Sequence, residues 1–292
     1  MYFYKGAIMR KAVMLGLFFA MIITGGFTVE NDGIFTYKVG QFEITMLLEA
    51  ERDGDVAIIP GAGQELINRY IPAEGFKLST NIFLIKAPGR NILVDTAFGG
   101  ASFDRMRQMG ITPDDIDAVL ITHMHGDHIG GLARNGQALF PRARIYVPAR
   151  DREYFTKTAV NQAAVTALAP YGSRVETFES AALGGTLREI LPGITPIAAF
   201  GHTPGHTAYL VENGGESFLV IGDLLHVGLV QFPHPEISAS FDVDQNAAAA
   251  VRRQILDYAA RNRIPIGGIH MGYPGMGTVE AAGSGFSFTP AR

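Results

Sequence analysis

The chain has 292 residues, of which 47% are hydrophobic and 18% are charged, and its formal net charge is −4 at pH 7. This composition excludes a disordered chain and is sufficient for a large buried core. A surface that binds nucleic acid needs a basic patch for the phosphates, and the negative net charge argues against one. The lack of cysteine excludes disulfides, lipid-modified cysteine and metal cages built from thiolates.

The N-terminus has the pattern of an export signal. The basic pair Arg10-Lys11 precedes an apolar stretch over residues 12–24, which is as long as a signal-peptide core and short for a membrane span. We therefore predict a signal peptide or N-terminal anchor over residues 1–27 and a periplasmic or secreted protein. No clear small-residue cleavage motif follows the stretch, so an uncleaved anchor stays an alternative. Translation that begins at Met9, directly before the basic pair, also stays open.

Beyond this leader, the pattern of apolar residues predicts alternating strands and helices. Residues 35–48 alternate in the manner of a hairpin, and the turn Pro88-Gly89 separates short strands at 81–87 and 91–95. Helices are predicted at 102–109, 149–168 and 246–260. No linker or repeat interrupts residues 28–292, so we expect a single α/β domain there.

The most informative motif directly follows the strand predicted at 118–121. Residues 122–131 have the sequence THMHGDHIGG, which contains four candidate metal ligands: His123, His125, Asp127 and His128. A strand would alternate these side chains between its faces and a helix would scatter them, so they need a turn, and Gly126 allows the bend. Imidazole and carboxylate suit zinc, iron, cobalt, nickel or manganese, and the lack of thiolates favours a catalytic metal over a structural one.

Three further candidate ligands follow other apolar runs. His202 lies in the sequence GHTPGHT, Asp223 directly follows FLVIG, and His270 directly follows IPIGGI. The chain has only eight histidines, so their repeated occurrence at the ends of strand-like runs is informative. These residues extend the first motif to a set of seven candidate ligands.

The order of these ligands resembles the dinuclear pattern of the metallo-β-lactamase superfamily. The resemblance implies an αββα sandwich, with two sheets inside, helices outside and the metals at one edge. It implies two divalent metal ions per chain. Zinc is the expected metal, and iron, cobalt, nickel and manganese are the alternatives. The ligand roles that it implies are His123, His125 and His202 for the first metal, Asp127, His128 and His270 for the second, and Asp223 as the bridge.

The resemblance also indicates residues that act beside the metals. Asp95 and His206 match family positions that orient ligands rather than bind metal. Asp127 and His226 are the candidate catalytic residues. His226 lies three positions after Asp223, where the better-known acyl-homoserine lactonases carry a tyrosine. It can donate a hydrogen bond to a substrate carbonyl or a proton to the leaving oxygen, and the alternative is that it only packs beside the ligands.

A narrower resemblance begins at about Phe35. The segments GQFEIT, GHTPGHTAY, GDLLH and IHMGYPGMG are similar to the methyl parathion hydrolase-like subgroup, which includes lactonases and aryl esterases. We therefore predict an enzyme, a metal-dependent hydrolase of carboxylic esters that acts as a lactonase or aryl esterase through a hydroxide held between the metals. The alternatives are a phosphotriesterase and a noncatalytic envelope protein that binds metal or a ligand.

The predicted partner is a small-molecule ester or lactone, nucleic acid is not expected, and a homodimer is compatible with the sequence. Apolar residues near the ligands in sequence are candidate walls of the substrate pocket. These residues are Met124, Phe98, Phe103, Leu224, Phe232 and Phe241.

Overall fold

The structure, a computed structural model, describes residues 27–31 and 33–292, with side chains from residue 33 onward. All of the predicted leader except its last residue lies outside the described residues, so that leader stays a prediction. Within the described ranges, no helix is both long enough and apolar enough to cross a membrane.

Among the residues that the structure describes, eight strands form the first of two large sheets. They are β1 (Phe27–Asn31), β2 (Ile34–Val39), β3 (Phe42–Asp53), β4 (Lys77–Ala87), β5 (Arg90–Val94), β6 (Ala118–Leu120), β9 (Arg144–Pro148) and β10 (Val175–Phe178). They lie side by side in this order. Pairs from β1 to β5 are antiparallel, and pairs from β5 to β10 are parallel. Between β6 and β9 lies a separate small hairpin of β7 (Ala133–Arg134) and β8 (Gln137–Ala138).

The second large sheet comes from the C-terminal part of the chain. Its strands are β11 (Ile194–Ala198), β12 (Thr207–Asn213), β13 (Glu216–Val220), β14 (Ile266–Gly267), β15 (Met276–Ala282) and β16 (Gly285–Pro290). They lie side by side in chain order, and all neighbours are antiparallel except β13 and β14. The second sheet therefore contains one crossover, which passes through the longest helix.

Seven α-helices of the described ranges connect or cover the strands. They are α1 (Gln64–Tyr70), α2 (Ala101–Gln108), α3 (Gly126–Ile129), α4 (Ala149–Glu153), α5 (Gln162–Leu168), α6 (Gly228–Gln231) and α7 (Gln245–Asn262). Short 3₁₀ turns at Val56–Ile58, Pro113–Asp115 and Ala169–Arg174 supplement them. The helices predicted at 102–109 and 246–260 are confirmed as α2 and α7.

The prediction of one continuous helix over 149–168 is wrong. After α4 the chain forms a π-helical turn over Tyr154–Thr158 and then leaves the helical conformation. A new helix, α5, begins because the Asn161 side chain accepts hydrogen bonds from the backbone N–H groups of Ala163 and Ala164. The asparagine cap therefore starts a second helix in a stretch whose composition alone suggested one.

The apolar run in the middle of β4 shows how the layers are arranged. Ile82, Phe83, Leu84 and Ile85 are all fully buried, although a strand turns successive side chains to opposite faces. Phe83 and Ile85 pack in the cluster between the two sheets, while Ile82 and Leu84 pack in the cluster beneath α2 and α5. A third cluster joins the outer face of the second sheet to α7. This order of helix, sheet, sheet and helix confirms the predicted αββα sandwich.

Candidate metal centre

Four loops carry the predicted ligands to one edge of the sandwich. One loop follows β6 and enters α3, one joins β11 to β12, and the other two follow β13 and β14. Backbone hydrogen bonds connect these loops: Thr207 N donates to Thr122 O over 2.9 Å, and Ile269 N donates to Gly222 O over 3.3 Å. The ligand loops are therefore fixed relative to one another before any side chain is considered.

Gly126 is not what allows the first ligand loop to bend, contrary to the prediction. It is the first residue of α3, after His125 as the N-cap, and a Cβ atom at this position would meet no atom within 4 Å. Glycine is needed at Gly222, which has a φ of +56° and where a Cβ atom would collide with the His206 ring. That close approach lets the Asp223 N–H donate to His206 Nε2 over 3.0 Å.

The first group of ligand atoms comes mainly from three imidazoles. His123 Nε2 lies 2.9 Å from His125 Nδ1 and 3.2 Å from His202 Nε2, and these last two atoms are 3.0 Å apart. Asp223 Oδ2 lies 3.7 Å from His123 Nε2 and 3.4 Å from His202 Nε2. These four side chains can therefore hold one metal ion between them.

Asp127, His128 and His270 form a second group that also contacts Asp223. His270 Nε2 lies 3.2 Å from Asp127 Oδ2 and 3.1 Å from Asp223 Oδ2. His128 Nε2 lies 3.3 Å from Asp223 Oδ1 and 3.7 Å from Asp127 Oδ1. The structure thus brings all seven predicted ligands together, with the Asp223 carboxylate between the two groups.

Hydrogen bonds on the far side of the rings orient the second group. His128 Nδ1 donates to Asp95 Oδ2 over 2.8 Å, and Asp95 also accepts from the backbone N–H and the hydroxyl of Thr122. His270 Nδ1 donates to the backbone carbonyl of Ser79 over 2.9 Å. A proton fixed on Nδ1 leaves a lone pair on Nε2 directed at the centre. Asp95 therefore supports a ligand, as the resemblance implied.

Sequence reasoning missed the residue that orients His202. His202 Nδ1 donates to Asp242 Oδ1 over 2.9 Å, and Asp242 Oδ2 accepts from Ala239 N and from the buried Arg252 guanidinium. Burial opposes ionisation of Asp242, but the hydrogen bond from His202 and the charge of Arg252 together lower its pKa. Asp242 lies in a loop with no ligand motif, so no local pattern marked it.

His206 acts as the resemblance implied, by positioning rather than by ligating. Its Nδ1 donates to the Ala199 carbonyl over 2.9 Å, which leaves Nε2 to accept the hydrogen bond from Asp223. Burial lowers the pKa of His206 to about 3, so the ring is neutral and keeps this acceptor. The bond fixes the backbone that carries the bridging carboxylate.

Asp151, at the start of the helical segment after β9, is a second residue that sequence reasoning missed. Its carboxylate is buried and accepts from Met124 N over 3.0 Å, from Thr203 Oγ1 over 2.9 Å and from Gly205 N. Burial raises the pKa of Asp151 to about 6, although these hydrogen bonds oppose the rise. One side chain thus joins the loop of His123 and His125 to the loop of His202.

The donor set fits divalent cations. His128 Nε2 and Asp223 Oδ1 are buried and have no hydrogen-bond partner among the described residues. Nitrogen lone pairs that converge at about 3 Å repel one another unless a cation lies between them, and zinc–nitrogen bonds of about 2.0–2.1 Å match such spacings. Burial lowers the pKa of His270, but Asp223 and Asp127 outweigh it and raise the pKa to about 10. At His270 the two carboxylates therefore favour positive charge.

His226 lies beside this donor set. Its Nε2 is 3.3 Å from Asp223 Oδ2, and its ring stacks on His270 with a centroid distance of 5.1 Å. The side-chain amide oxygen of Gln231 fixes the loop by accepting from the N–H groups of His226 and Val227 over 2.7 and 2.9 Å. His226 thus lies close enough to serve either substrate or metal.

A cavity of about 320 Å³ opens onto the ligands. Arg52, Leu78 and the predicted wall residue Phe241 line it, and 48% of Phe241 is exposed. Phe232 lines the neighbouring cavity instead, and Phe98 lines neither cavity and is exposed. The other three predicted wall residues are buried in the core, and they are Met124, Phe103 and Leu224. Of the six predicted wall residues, Phe241 therefore lines the metal cavity and Phe232 lines the neighbouring cavity, whereas the other four line neither.

The chain belongs to the Metallo-beta-lactamase superfamily. The sequence pattern of this family matches residues 75–265, a range that contains six of the seven ligands. Family membership and the convergent His/Asp cluster define the protein as a metal-dependent hydrolase. His270 lies just beyond the matched range, and the structure places its Nε2 within 3.2 Å of Asp127 Oδ2 and 3.1 Å of Asp223 Oδ2.

Curated relatives match part of the chain. Hydroxyacylglutathione hydrolase of Tolumonas auensis is 29% identical over 147 residues, which are 50% of this chain and 47% of that enzyme. The uncharacterized protein YobT of Bacillus subtilis is 25% identical over 165 residues, which are 53% of this chain and 69% of YobT. This chain therefore spans about half of the length of the Tolumonas enzyme.

Solved structures match nearly the whole chain. The hydrolase AbOPH of the beta lactamase superfamily is 27% identical with a TM-score of 0.81, over 90% of this chain and 99% of that one. AidC, a dizinc quorum-quenching lactonase solved with a product, is 22% identical with a TM-score of 0.77, over 92% and 98% of the two chains. The AidC comparison concerns the fold alone.

Proposed function

We propose that this protein is a dinuclear metal-dependent hydrolase of carboxylic esters that acts as a lactonase or aryl esterase. The observation that carries the proposal is the single carboxylate of Asp223, shared by two groups of ligand atoms at the base of an open cavity. The chain has no cysteine to act as a nucleophile. The segments GQFEIT, GHTPGHTAY, GDLLH and IHMGYPGMG support membership of the methyl parathion hydrolase-like subgroup, which we retain as part of this proposal.

Two divalent cations, with zinc as the expected metal, would polarise the substrate carbonyl and would lower the pKa of water to near neutrality. The side chains of the protein provide the geometry for this chemistry. Asp127 lines the cavity, and 29% of its side chain is exposed, whereas Asp223 is almost fully buried. Asp127 is therefore the ligand carboxylate best placed to accept a proton from an attacking water.

We assign to His226 a hydrogen bond to the substrate, either at the carbonyl oxygen or at the leaving oxygen. His226 lines the cavity, and the seven predicted ligand positions are complete without it. The fixed loop beneath it holds the ring beside Asp223. A donor at this place would stabilise negative charge that develops on oxygen as the ester bond breaks.

Two alternatives from the sequence make different demands on the site. A phosphotriesterase would use the same cleft for a tetrahedral phosphorus centre, whereas a noncatalytic envelope protein would bind metal or ligand without turnover. Hydrolysis of glutathione thioesters, suggested by the Tolumonas auensis relative, calls for a basic cluster for the glutathione carboxylates. Arg52 is the basic side chain, other than histidine, that the described residues contribute to the metal cavity.

One substrate panel distinguishes these functions. Protein of measured metal content is assayed with lactones, aryl esters, thioesters, phosphotriesters and a β-lactam. We expect lactones or aryl esters to give the highest kcat/KM, and we expect a chelator to abolish turnover until zinc is restored. Higher kcat/KM for phosphotriesters would favour the phosphotriesterase. Protein that holds two metals and hydrolyses no substrate in the panel would refute the enzyme assignment.

We also propose export from the cytoplasm, on the basis of Arg10-Lys11 and the apolar stretch that follows. The proposed hydrolase domain, residues 28–292, includes all of β1 except its first residue, Phe27. Cell fractionation of the full-length chain should place it outside the cytoplasm, with any cleavage near residues 24–30. Soluble cytoplasmic protein that retains residues 9–24 would contradict export. Light scattering of the purified protein tests the homodimer.

A further inference from the structure

A second and larger cavity, of about 920 Å³, adjoins the metal cavity. His226 and His270 line both cavities, so the two spaces meet at these imidazoles. The walls of the second cavity are mainly apolar, with side chains that include Leu229, Phe232, Met271, Tyr273, Phe286 and Phe288. A site of this size is within the range of about 300–1,000 Å³ that is usual for small-molecule sites.

The wall of this cavity is a packed part of the fold. The rings of Phe232 and Phe288 stack in parallel with a centroid distance of 4.8 Å. The Phe286 N–H donates to the Phe232 carbonyl over 2.9 Å, which joins the end of α6 to β16. Leu229, also on α6, is 46% exposed and contributes an apolar side chain to the same cavity. The space is therefore held open by contacts that do not depend on a ligand.

The two cavities differ in chemistry. The metal cavity is lined mainly by imidazoles and carboxylates, whereas the adjoining cavity offers aromatic and aliphatic surface. Charged groups lie at its border, where Lys77 forms an ion pair of 2.6 Å with Asp53 and where Glu51 also lines the cavity. A molecule that occupied both spaces would carry a polar reactive group next to an extended apolar group.

We infer that the second cavity binds the apolar group of the substrate while the reactive carbonyl lies in the metal cavity, so that the substrate class is long-chain esters or lactones. This inference rests on the proposed ester hydrolysis. The apolar chain can be attached to the carbonyl carbon, as an acyl chain, or to the ester oxygen, as an alkyl group. Burial of each methylene in the cavity corresponds to about a fourfold gain in kcat/KM.

Two substrate series test this inference and distinguish the two attachments. In one, 4-nitrophenyl esters lengthen from acetate to decanoate with a constant leaving group, and in the other, acetate esters lengthen from ethyl to decyl. We expect kcat/KM to rise with chain length in one of the series. The same kcat/KM at every length in both series would overturn the long-chain inference and leave ester hydrolysis standing. Absence of turnover with all esters would instead refute the proposed function.

The variant Leu229→Glu places a charge in the apolar cavity at a side chain that is already partly exposed. In the series whose kcat/KM rises with chain length, we expect it to lower kcat/KM for the longest substrate about tenfold more than for the shortest one. The matched control is Val160→Glu, because Val160 is 60% exposed and lines neither cavity. An equal loss at all chain lengths in Leu229→Glu, or the same length-dependent loss in Val160→Glu, would contradict the assignment.

A binding measurement avoids dependence on turnover. The chain contains no tryptophan, so Leu229→Trp introduces a single indole at the cavity. Decanoate should change the emission of this variant in the metal-loaded protein, whereas acetate, which carries the same carboxylate, should not. Val160→Trp is the control and should respond to neither compound. The same response to acetate and decanoate, or no response to decanoate, would show that the cavity does not bind an apolar chain.

Discussion

The metal centre and the apolar cavity beside it are built from the chain in different ways. Four of the seven candidate ligands lie between His123 and His128, whereas the cavity wall combines residues as distant as Glu51 and Pro290. The ligands are oriented by hydrogen bonds of defined direction, and the cavity is shaped by apolar packing. The candidate ligands thus come from a few local motifs, whereas the shape of the apolar cavity depends on the assembled fold.

The largest effect should come from Asp223→Ala, because both ligand groups contact this carboxylate. We expect the wild-type protein to hold close to two transition-metal ions per chain and the variant to lose metal from both groups, together with ester hydrolysis. Metal analysis after gel filtration measures the stoichiometry. The partly exposed helix residue Asp257, changed to alanine, is a control that should keep both metals.

The same metal analysis has an outcome that would contradict two metal ions per chain. A wild-type protein that holds one tightly bound metal, and an Asp223→Ala variant with the same content, would contradict a dinuclear centre.

The variant His226→Leu tests whether this histidine acts on the substrate or on the metal. We expect unchanged metal content and a loss of roughly 10²-fold in turnover of esters or lactones with poor leaving groups, as is typical of general acid catalysis. Nitrophenyl esters should lose much less, because their departing oxygen needs little stabilisation. The comparison of kcat between the two kinds of ester measures this difference.

His226→Leu also distinguishes the other roles of this residue. An equal loss for both kinds of ester would indicate that His226 only packs beside the ligands. Loss of metal would make it a ligand, as its position within one group of donor atoms with Asp223 and His270 allows.

A smaller effect should follow from Asp242→Ala, which removes the carboxylate that orients His202. Removal of such an outer hydrogen-bond partner lowers metal affinity by about 10–100-fold, because the ring loses its fixed tautomer and orientation. Competition with a chelator measures the affinity. Metal affinity equal to that of the wild type would show that the hydrogen bond does not support the ligand.

The smallest effect is expected for Asp244→Ala, two positions further along the chain. The Asp244 side chain caps α7 by accepting from Ala247 N over 3.0 Å and does not contact a ligand. Its loss should lower the free energy of unfolding by about 1 kcal/mol in urea denaturation, with metal affinity unchanged. A reduced metal affinity in this variant would mean that the Asp242 result reflects a displaced loop.

Much of the fold was predictable from local patterns. The apolar runs on either side of the turn Pro88-Gly89 indicated β4 and β5, and the apolar face of residues 246–260 indicated α7. The prediction failed over 149–168, where a single side-chain cap at Asn161 interrupts a sequence of otherwise helical composition. Competition between a local hydrogen bond and helix propensity is not visible in an average over many residues.

The candidate site likewise combines features that local sequence predicts with features that depend on the tertiary structure. The sequence by itself indicated the seven candidate ligands and the alternation of strands and helices, because ligand chemistry and strand periodicity are properties of short segments. The αββα arrangement was implied by the resemblance to the superfamily. Only the tertiary structure decided that Asp242 orients His202, that Asp151 joins two ligand loops, and that an apolar cavity meets the metal centre at His226. These features arise where distant segments pack together, and their distances depend on the whole fold rather than on any one motif.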